Sequence, residues 1–143
     1  MSRLVLHHPE LIALYRLWFD QCRNETLPSS ADLAPNALRR WLDNLVVIDP
    51  RRDGRLRYSY YGANLAAAFG TDMLGKSIDQ LPETQQAVLR QEYDRIVADR
   101  LPRAREYRAD FGSGPQCWER LSLTFFGPDE EVEKILVAAY RLD

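Results

Sequence analysis

The sequence predicts an α+β domain built on an antiparallel sheet, and the order of its segments carries the prediction. Two helical segments come first, then two strands, a run of helices, and three strands joined by short turns. Strands linked by short turns pair antiparallel, whereas parallel strands need a crossover connection. The order therefore excludes the β-α-β alternation of nucleotide-binding folds. With 143 residues, the chain has the length of one domain with one core.

The first helical segment follows His8-Pro9-Glu10 and is strongly amphipathic. Apolar residues recur at helical spacing from Leu11 to Cys22. Three further apolar residues widen the stripe beyond the needs of one packing surface: Ile12, Leu17 and Phe19. An apolar surface of this width indicates a second contact. We therefore expect a homodimer whose interface includes this helix.

A second, shorter helix is predicted after the first. Ser29 has the residue type of an N-cap, and Leu38, Trp41 and Leu42 form an apolar face. We expect residues 1–44 to form an N-terminal helical segment and residues 45–143 to form the sheet-containing core. Together they make a single domain, 1–143.

Five strands are predicted in the core. The first two, residues 45–49 and 56–61, flank Asp53-Gly54, a dipeptide typical of tight hairpin turns. Helical segments follow, at residues 64–69 and between Pro82 and Pro102. The last three strands are predicted at residues 104–111, 117–126 and 135–142, separated by turns that contain glycine and proline.

Composition and charge exclude several classes of partner. The formal net charge of -2 gives no strong positive field for nucleic acid, and no run approaches the roughly 20 apolar residues that span a bilayer. Cys22 and Cys117 fit no metal or redox spacing. We read both as free thiols in a reducing compartment, which predicts a cytoplasmic protein.

The sequence offers few residues for a catalytic site or a metal site. The only two histidines, His7 and His8, precede the first helix, whereas nucleophile triads and most metal sites need histidine near a partner. We expect no catalytic residue, no metal site and no bound cofactor. One enzymatic alternative stays open, an enzyme on a cone-shaped α+β fold. Such enzymes usually place aspartate and histidine in the cavity.

Four stretches that span nearly the whole chain point to a family. They are His8-Pro9-Glu10-Leu11, Leu38-Arg39-Arg40-Trp41-Leu42, Tyr58-x-Tyr60-x-Gly62-x-x-Leu65-x-x-x-Phe69-Gly70 and Glu119-Arg120-Leu121. In these stretches the chain resembles small bacterial PAS-like domain proteins. The resemblance implies a five-stranded antiparallel sheet with helices on one face and an extra N-terminal helix that often packs on the other. It also implies non-catalytic sensing of a small molecule or contact with a signalling protein.

A small-molecule site is predicted on the helical face of the sheet. Strand alternation and the helix after the second strand supply its candidate residues: Tyr58, Tyr60, Phe69, Tyr107, Glu119 and Leu121. One inward carboxylate among aromatic rings favours an uncharged or weakly cationic, partly aromatic ligand. The same alternation sends Trp118 to the opposite face, beneath the N-terminal helix.

Two alternatives to this site stay open. The aromatic side chains could fill the space themselves, which would leave a ligand-free protein interaction module. Glu119 could instead lie at the open end of its strand and pair with an arginine or a tyrosine hydroxyl, because an isolated buried charge is costly. A flavin photoadduct sensor is disfavoured, since the helix from Asn64 to Phe69 carries no reactive cysteine.

Overall fold

The structure is a computed structural model that describes residues 4–22, 28–30, 36–50, 55–110, 112 and 114–143. Helix α1 spans Pro9–Gln21, α2 spans Ala63–Phe69 and α3 spans Glu83–Asp99. The strands are β1 (Leu45–Pro50), β2 (Leu56–Tyr61), β3 (Arg103–Asp110), β4 (Pro115–Phe126) and β5 (Val132–Arg141). Two short 3₁₀ helices, Leu42–Asn44 and Ile78–Gln80, complete the described elements.

The five strands form one sheet in the order β2-β1-β5-β4-β3, and neighbouring strands pair antiparallel. The long strands β4 and β5 lie in the centre, so both faces of the sheet offer apolar side chains that need cover. This arrangement confirms the predicted α+β class and the five-stranded antiparallel sheet.

One face of the sheet packs against α2, α3 and the segment between them. We call this the helical face. Its apolar core includes Ile48, Tyr58, Leu65, Tyr93, Ile96, Trp118 and Ile135. Helix α1 crosses the opposite face, which we call the α1 face. Its core includes Leu11, Leu14, Trp41, Leu121, Leu123 and Leu136. The extra N-terminal helix is therefore where the family resemblance implies.

Helix α1 is fixed to its face by polar contacts as well as by burial. The side chain of His8 caps the helix by accepting a hydrogen bond from Glu10 N at 3.1 Å. Near the other end of α1, Trp18 Nε1 donates to the carbonyl oxygen of Thr124 at 2.8 Å. The Trp18 contact ties the later part of α1 to β4, whereas the His8 contact stabilises the first turn of the helix itself.

The second predicted helix is wrong in its described part. Residues 36–41 form turns that lead into the 3₁₀ helix at Leu42–Asn44, while residues 31–35 lie outside the described residues. Leu38 and Trp41 are nevertheless buried, and Trp41 Nε1 donates to Glu10 O at 2.9 Å. Leu38 and Trp41 therefore belong to the core of the α1 face, with Leu42 packed against it, although this segment does not form an α-helix.

Cys22 and Cys117 are half-buried free thiols. The predicted turn at Asp53-Gly54 lies outside the described residues. Among the helices that the structure describes, none combines the length and the apolar character that a bilayer crossing requires.

Candidate functional site

A charged and aromatic cluster lies on the helical face, between the middle of β4 and helix α3. Side chains alternate along β4, so Trp118, Arg120 and Ser122 point toward α3. Helix α3 presents Glu92 and Tyr93 to them in return. We call the group of Glu92, Tyr93 and Arg120 the buried arginine cluster.

The guanidinium of Arg120 is the centre of this cluster. Its side chain is only 12% exposed. Nη2 donates to the Tyr93 hydroxyl at 2.6 Å, and the guanidinium carbon lies 5.7 Å from the centre of the Tyr93 ring. Nε lies 3.3 Å from Glu92 Oε1, close enough for an ion pair, but it makes no hydrogen bond. Arg120 thus keeps one buried donor without a hydrogen-bond acceptor in the described structure.

The carboxylate of Glu92 is shared by two guanidinium groups. Arg105 Nη2 lies 2.8 Å from Glu92 Oε2, and Arg105 Nε donates to the same oxygen at 3.0 Å. Arg105 also stands over the Tyr107 ring at 5.3 Å. One carboxylate facing two guanidinium groups leaves the group with a net positive charge, and the Arg105 side chain, 35% exposed, carries part of it toward solvent.

Aromatic side chains surround the cluster. Tyr58 and Tyr61 meet edge to face with their ring centres 5.3 Å apart. Phe69 of α2 lies against Trp118 of β4 at 5.9 Å. Tyr107 packs against the same core from β3. The surface around Arg120 therefore combines flat apolar rings with phenol groups.

Burial keeps the phenols of this region neutral. It raises the pKa of Tyr61 to about 12, and it raises the pKa values of Tyr58, Tyr93 and Tyr107 as well. Their hydroxyl groups stay protonated at neutral pH and remain available as donors.

Arg120 keeps its charge despite being buried. Burial opposes the charged form, but the neighbouring Tyr93 and Glu92 oxygens more than offset that effect and raise the pKa of Arg120. A permanent cation with planar donor geometry suits a carboxylate, a phosphate or a carbonyl oxygen.

The structure does not bring the six predicted site residues together. Tyr58, Phe69 and Tyr107 lie on the helical face. Tyr60, Glu119 and Leu121 lie on the α1 face, on the other side of the sheet. The prediction that all six share one face is therefore wrong. Phe111, which the same alternation grouped with Tyr107, lies outside the described residues.

An irregular pairing in β2 explains the position of Tyr60. Val47 pairs with Tyr60 and the next residue of β1, Ile48, pairs with Tyr58, so Ser59 has no counterpart in the register. The extra residue breaks simple alternation. Tyr61, rather than Tyr60, therefore joins Tyr58 on the helical face. The hydroxyl of Tyr60 instead donates to Leu42 O at 2.9 Å.

The assignment of β4 was reversed because both faces of this strand are buried. Glu119 is 1% exposed, and its carboxylate accepts hydrogen bonds from the backbone N–H groups of His7 and His8. Among the residues that the structure describes, the partners of Glu119 are the backbone N–H groups of His7 and His8 and the ring of His7, and they include neither an arginine nor a tyrosine hydroxyl. Trp118 packs beside Phe69 on the helical face and is not covered by α1.

The buried arginine cluster was missed by sequence reasoning, although a signal was present. The strand Trp118 to Phe126 alternates polar and apolar residues from Arg120 onward, and a polar set can face the interior when helices bring partners to it. Glu92 and Tyr93 supply such partners from α3. Their spacing on α3 does not show which strand they meet.

Comparison with known proteins places the chain in a class of sensory domains. A family model described as the PAS domain matches residues 6–137, which is most of the chain. The chain therefore belongs to the PAS domain family, whose members are signalling sensors. No curated protein matches the sequence closely enough to be counted as a relative.

Solved structures share the fold at low sequence identity. The PAS domain of BvgS from Bordetella pertussis is 15% identical, with a TM-score of 0.60 over 76% of this chain and 85% of that chain. A sensory box sensor histidine kinase from Vibrio cholerae is 13% identical, with a TM-score of 0.55 over 94% and 97%. A light-oxygen-voltage domain studied with a flavin analogue is 16% identical, with a TM-score of 0.55 over 76% and 83%. These likenesses concern the fold alone.

Proposed function

We propose that the chain is a non-catalytic PAS-type sensor that binds a small molecule at the buried arginine cluster. The observation that carries the proposal is the guanidinium of Arg120, which is buried beneath α3 and whose Nε makes no hydrogen bond to any residue that the structure describes. A ligand with a carboxylate or another strong acceptor would occupy that donor. Its flat apolar part would lie against Tyr58, Tyr107 or Phe69.

This proposal changes the class of ligand that the sequence suggested. The expectation of an uncharged or weakly cationic ligand depended on Glu119 facing the same rings as Tyr58. Glu119 belongs to the α1 face, and the charged group beside the rings is Arg120. A cation in that position favours an anionic aromatic ligand and disfavours an amine.

Binding of aromatic acids tests the proposal. We expect benzoate and 4-hydroxybenzoate to raise the melting temperature of the protein, whereas benzylamine leaves it unchanged. At a concentration of about 100 times Kd, binding adds about 2.7 kcal/mol of stability, on the order of several degrees for a domain of this size. In Arg120→Met the rise in melting temperature should disappear, since the ligand's carboxylate loses its cationic partner.

A matched variant separates loss of the site from loss of a charge. Arg95 is exposed on α3 and lies outside the buried arginine cluster, so Arg95→Met also removes one positive charge but should keep the full response to the acids. Circular dichroism checks that Arg120→Met is folded. A response to benzylamine equal to that of benzoate, or an unchanged response in Arg120→Met, contradicts the proposed site.

Contact with a second copy through α1 is the other function that an observation favours. Ile12 is 37% exposed and Phe19 is 42% exposed on the outer side of the helix, although α1 already buries Leu11 and Leu14 against the sheet. A sensor transmits its state through such contacts. We include a homodimer through α1, and a cytoplasmic location consistent with two free thiols, in the proposal.

Replacement of Phe19 by glutamate is expected to convert the dimer into a monomer. The charge would have to be buried in an apolar contact, which is costly without a partner. Light scattering at tens of micromolar reports the mass. Gln21→Glu adds the same charge at an exposed position of α1 and should leave the dimer intact. A wild-type monomer, or a Phe19→Glu protein that is still dimeric, rejects this interface.

A further inference from the structure

Three potential metal ligands meet where the N-terminal segment reaches the end of the sheet. His7 Nδ1 lies 2.7 Å from Glu106 Oε1 and 3.2 Å from Glu119 Oε2. The ligand atoms of all three residues lie within 4.8 Å of one another. The three residues are on the α1 face, separated by the sheet from the buried arginine cluster.

The two carboxylates oppose each other directly across strands. Glu106 of β3 pairs with Glu119 of β4 in the antiparallel register, so both side chains point to the same face. Like charges in this position destabilise a sheet unless a cation lies between them. Glu119 is 1% exposed, which makes its negative charge more costly to leave uncompensated.

His7 compensates this pair only in part. Nδ1 of His7 faces two carboxylate oxygens, yet in any protonation state it offers at most one N–H or one lone pair. Both oxygens of the Glu119 carboxylate accept hydrogen bonds from the backbone N–H group of His7, and Oε1 also accepts from His8, whereas Glu106 faces His7 Nδ1 and solvent. A divalent ion would neutralise both carboxylates and use the imidazole lone pair as a third ligand.

We propose that His7, Glu106 and Glu119 form a site for a divalent ion of the zinc type. One imidazole nitrogen and two carboxylate oxygens are ligands that Zn²⁺ accepts. Bonds of about 2.0–2.1 Å in a tetrahedron separate neighbouring ligand atoms by about 3.3 Å. The distances of 2.7 and 3.2 Å from Nδ1 require only small side-chain shifts to reach that spacing. Mg²⁺ fits less well because it prefers six oxygen ligands.

The site would connect ion binding to the position of α1. His7 is 61% exposed and lies two residues before the start of the helix, whereas Glu106 and Glu119 belong to the sheet. An ion held by all three residues would tie the beginning of α1 to β3 and β4. The fourth ligand position would face solvent, because Glu106 is 48% exposed.

Calorimetric titration with ZnCl₂ tests the site in protein without an added histidine tag. We expect one ion per chain in the wild-type protein at neutral pH, and at least tenfold weaker binding in Glu106→Gln. Glu106 is partly exposed, so this substitution keeps the fold and leaves the contacts of Glu119 with the backbone in place. Glu131→Gln, at an exposed position in the turn before β5, should bind Zn²⁺ like the wild type.

A second variant and a second ion complete the test. His7→Gln should weaken Zn²⁺ binding at least tenfold as well, and MgCl₂ should give no heat of binding at concentrations where ZnCl₂ saturates. Equal affinity in wild type, Glu106→Gln and His7→Gln overturns the proposal, as does the absence of Zn²⁺ binding by the wild type. Binding of aromatic acids is measured separately, so either proposal can fail without the other.

Discussion

Gly62→Ala is expected to lower the free energy of unfolding by about 3 kcal/mol, at the upper end of the cost of forcing atoms into packed space. Gly62 joins β2 to α2 and donates from its backbone N–H to Leu45 O at 2.7 Å. A Cβ atom there would lie 2.5 Å from Asp43 O and 2.6 Å from Leu42 O. Both neighbours are backbone atoms, so they cannot turn aside as a flexible side chain could.

Gly70→Ala is the control for this effect. Gly70 has a φ of +74°, but a Cβ atom at this position would meet no atom within 4 Å. Its cost is therefore the strain of the left-handed conformation alone, on the order of 1 kcal/mol. Urea denaturation followed by tryptophan fluorescence measures both variants. If both variants lose the same free energy of unfolding, the close approach of backbone atoms at Gly62 does not constrain the junction between β2 and α2.

The fold was predictable because its signals are local. Turn residues between alternating segments indicate strands, and proline and glycine mark where the helices end. Helix α3 lies between Pro82 and Arg100, close to the two prolines that were expected to bound it. The antiparallel order of the last three strands follows from their short turns alone, and the structure confirms it.

The facing of side chains was not predictable, because it depends on contacts between distant segments. In β4, shifting the assumed alternation by one residue moves every side chain of the strand from the helical face to the α1 face, or the reverse. Apolar periodicity cannot set that phase when helices cover both faces, as they do here. The prediction for Tyr60 was wrong for another reason. The register between β1 and β2 shifts between Val47 and Ile48, and such a shift depends on how two strands pair, which the sequence of one strand does not show.

The candidate site was also predicted only in part. Tyr58, Phe69 and Tyr107 were predicted on the helical face and lie there. The strand alternation that sends Trp118 to the face opposite the predicted site sends Arg120 there as well, so the sequence does not predict Arg120 beside Tyr58. The burial of Arg120 depends on Glu92 and Tyr93, which reach it from a helix that precedes it by more than twenty residues.

Glu119→Leu is expected to lower the free energy of unfolding by about 3 kcal/mol and to release the N-terminal segment from the sheet. The Glu119 carboxylate accepts from His8 N at 2.8 Å and from His7 N at 3.0 Å. Leucine fills the space but leaves these two N–H groups without their acceptor. Each part-buried N–H group that loses its acceptor costs about 1–3 kcal/mol. Denaturation in urea measures the stability of the variant.

Glu119→Gln separates the acceptor from the charge in this contact. The amide oxygen of glutamine can still accept from both backbone N–H groups, so the variant should lose only about 1 kcal/mol. Hydrogen exchange locates the difference. The amides of His7 and His8 should lose their protection in Glu119→Leu and keep most of it in Glu119→Gln, while the central strands stay protected in both. If Glu119→Leu matches the wild type in both measurements, apolar packing of Leu11 and Leu14 alone holds the N-terminal segment against the sheet.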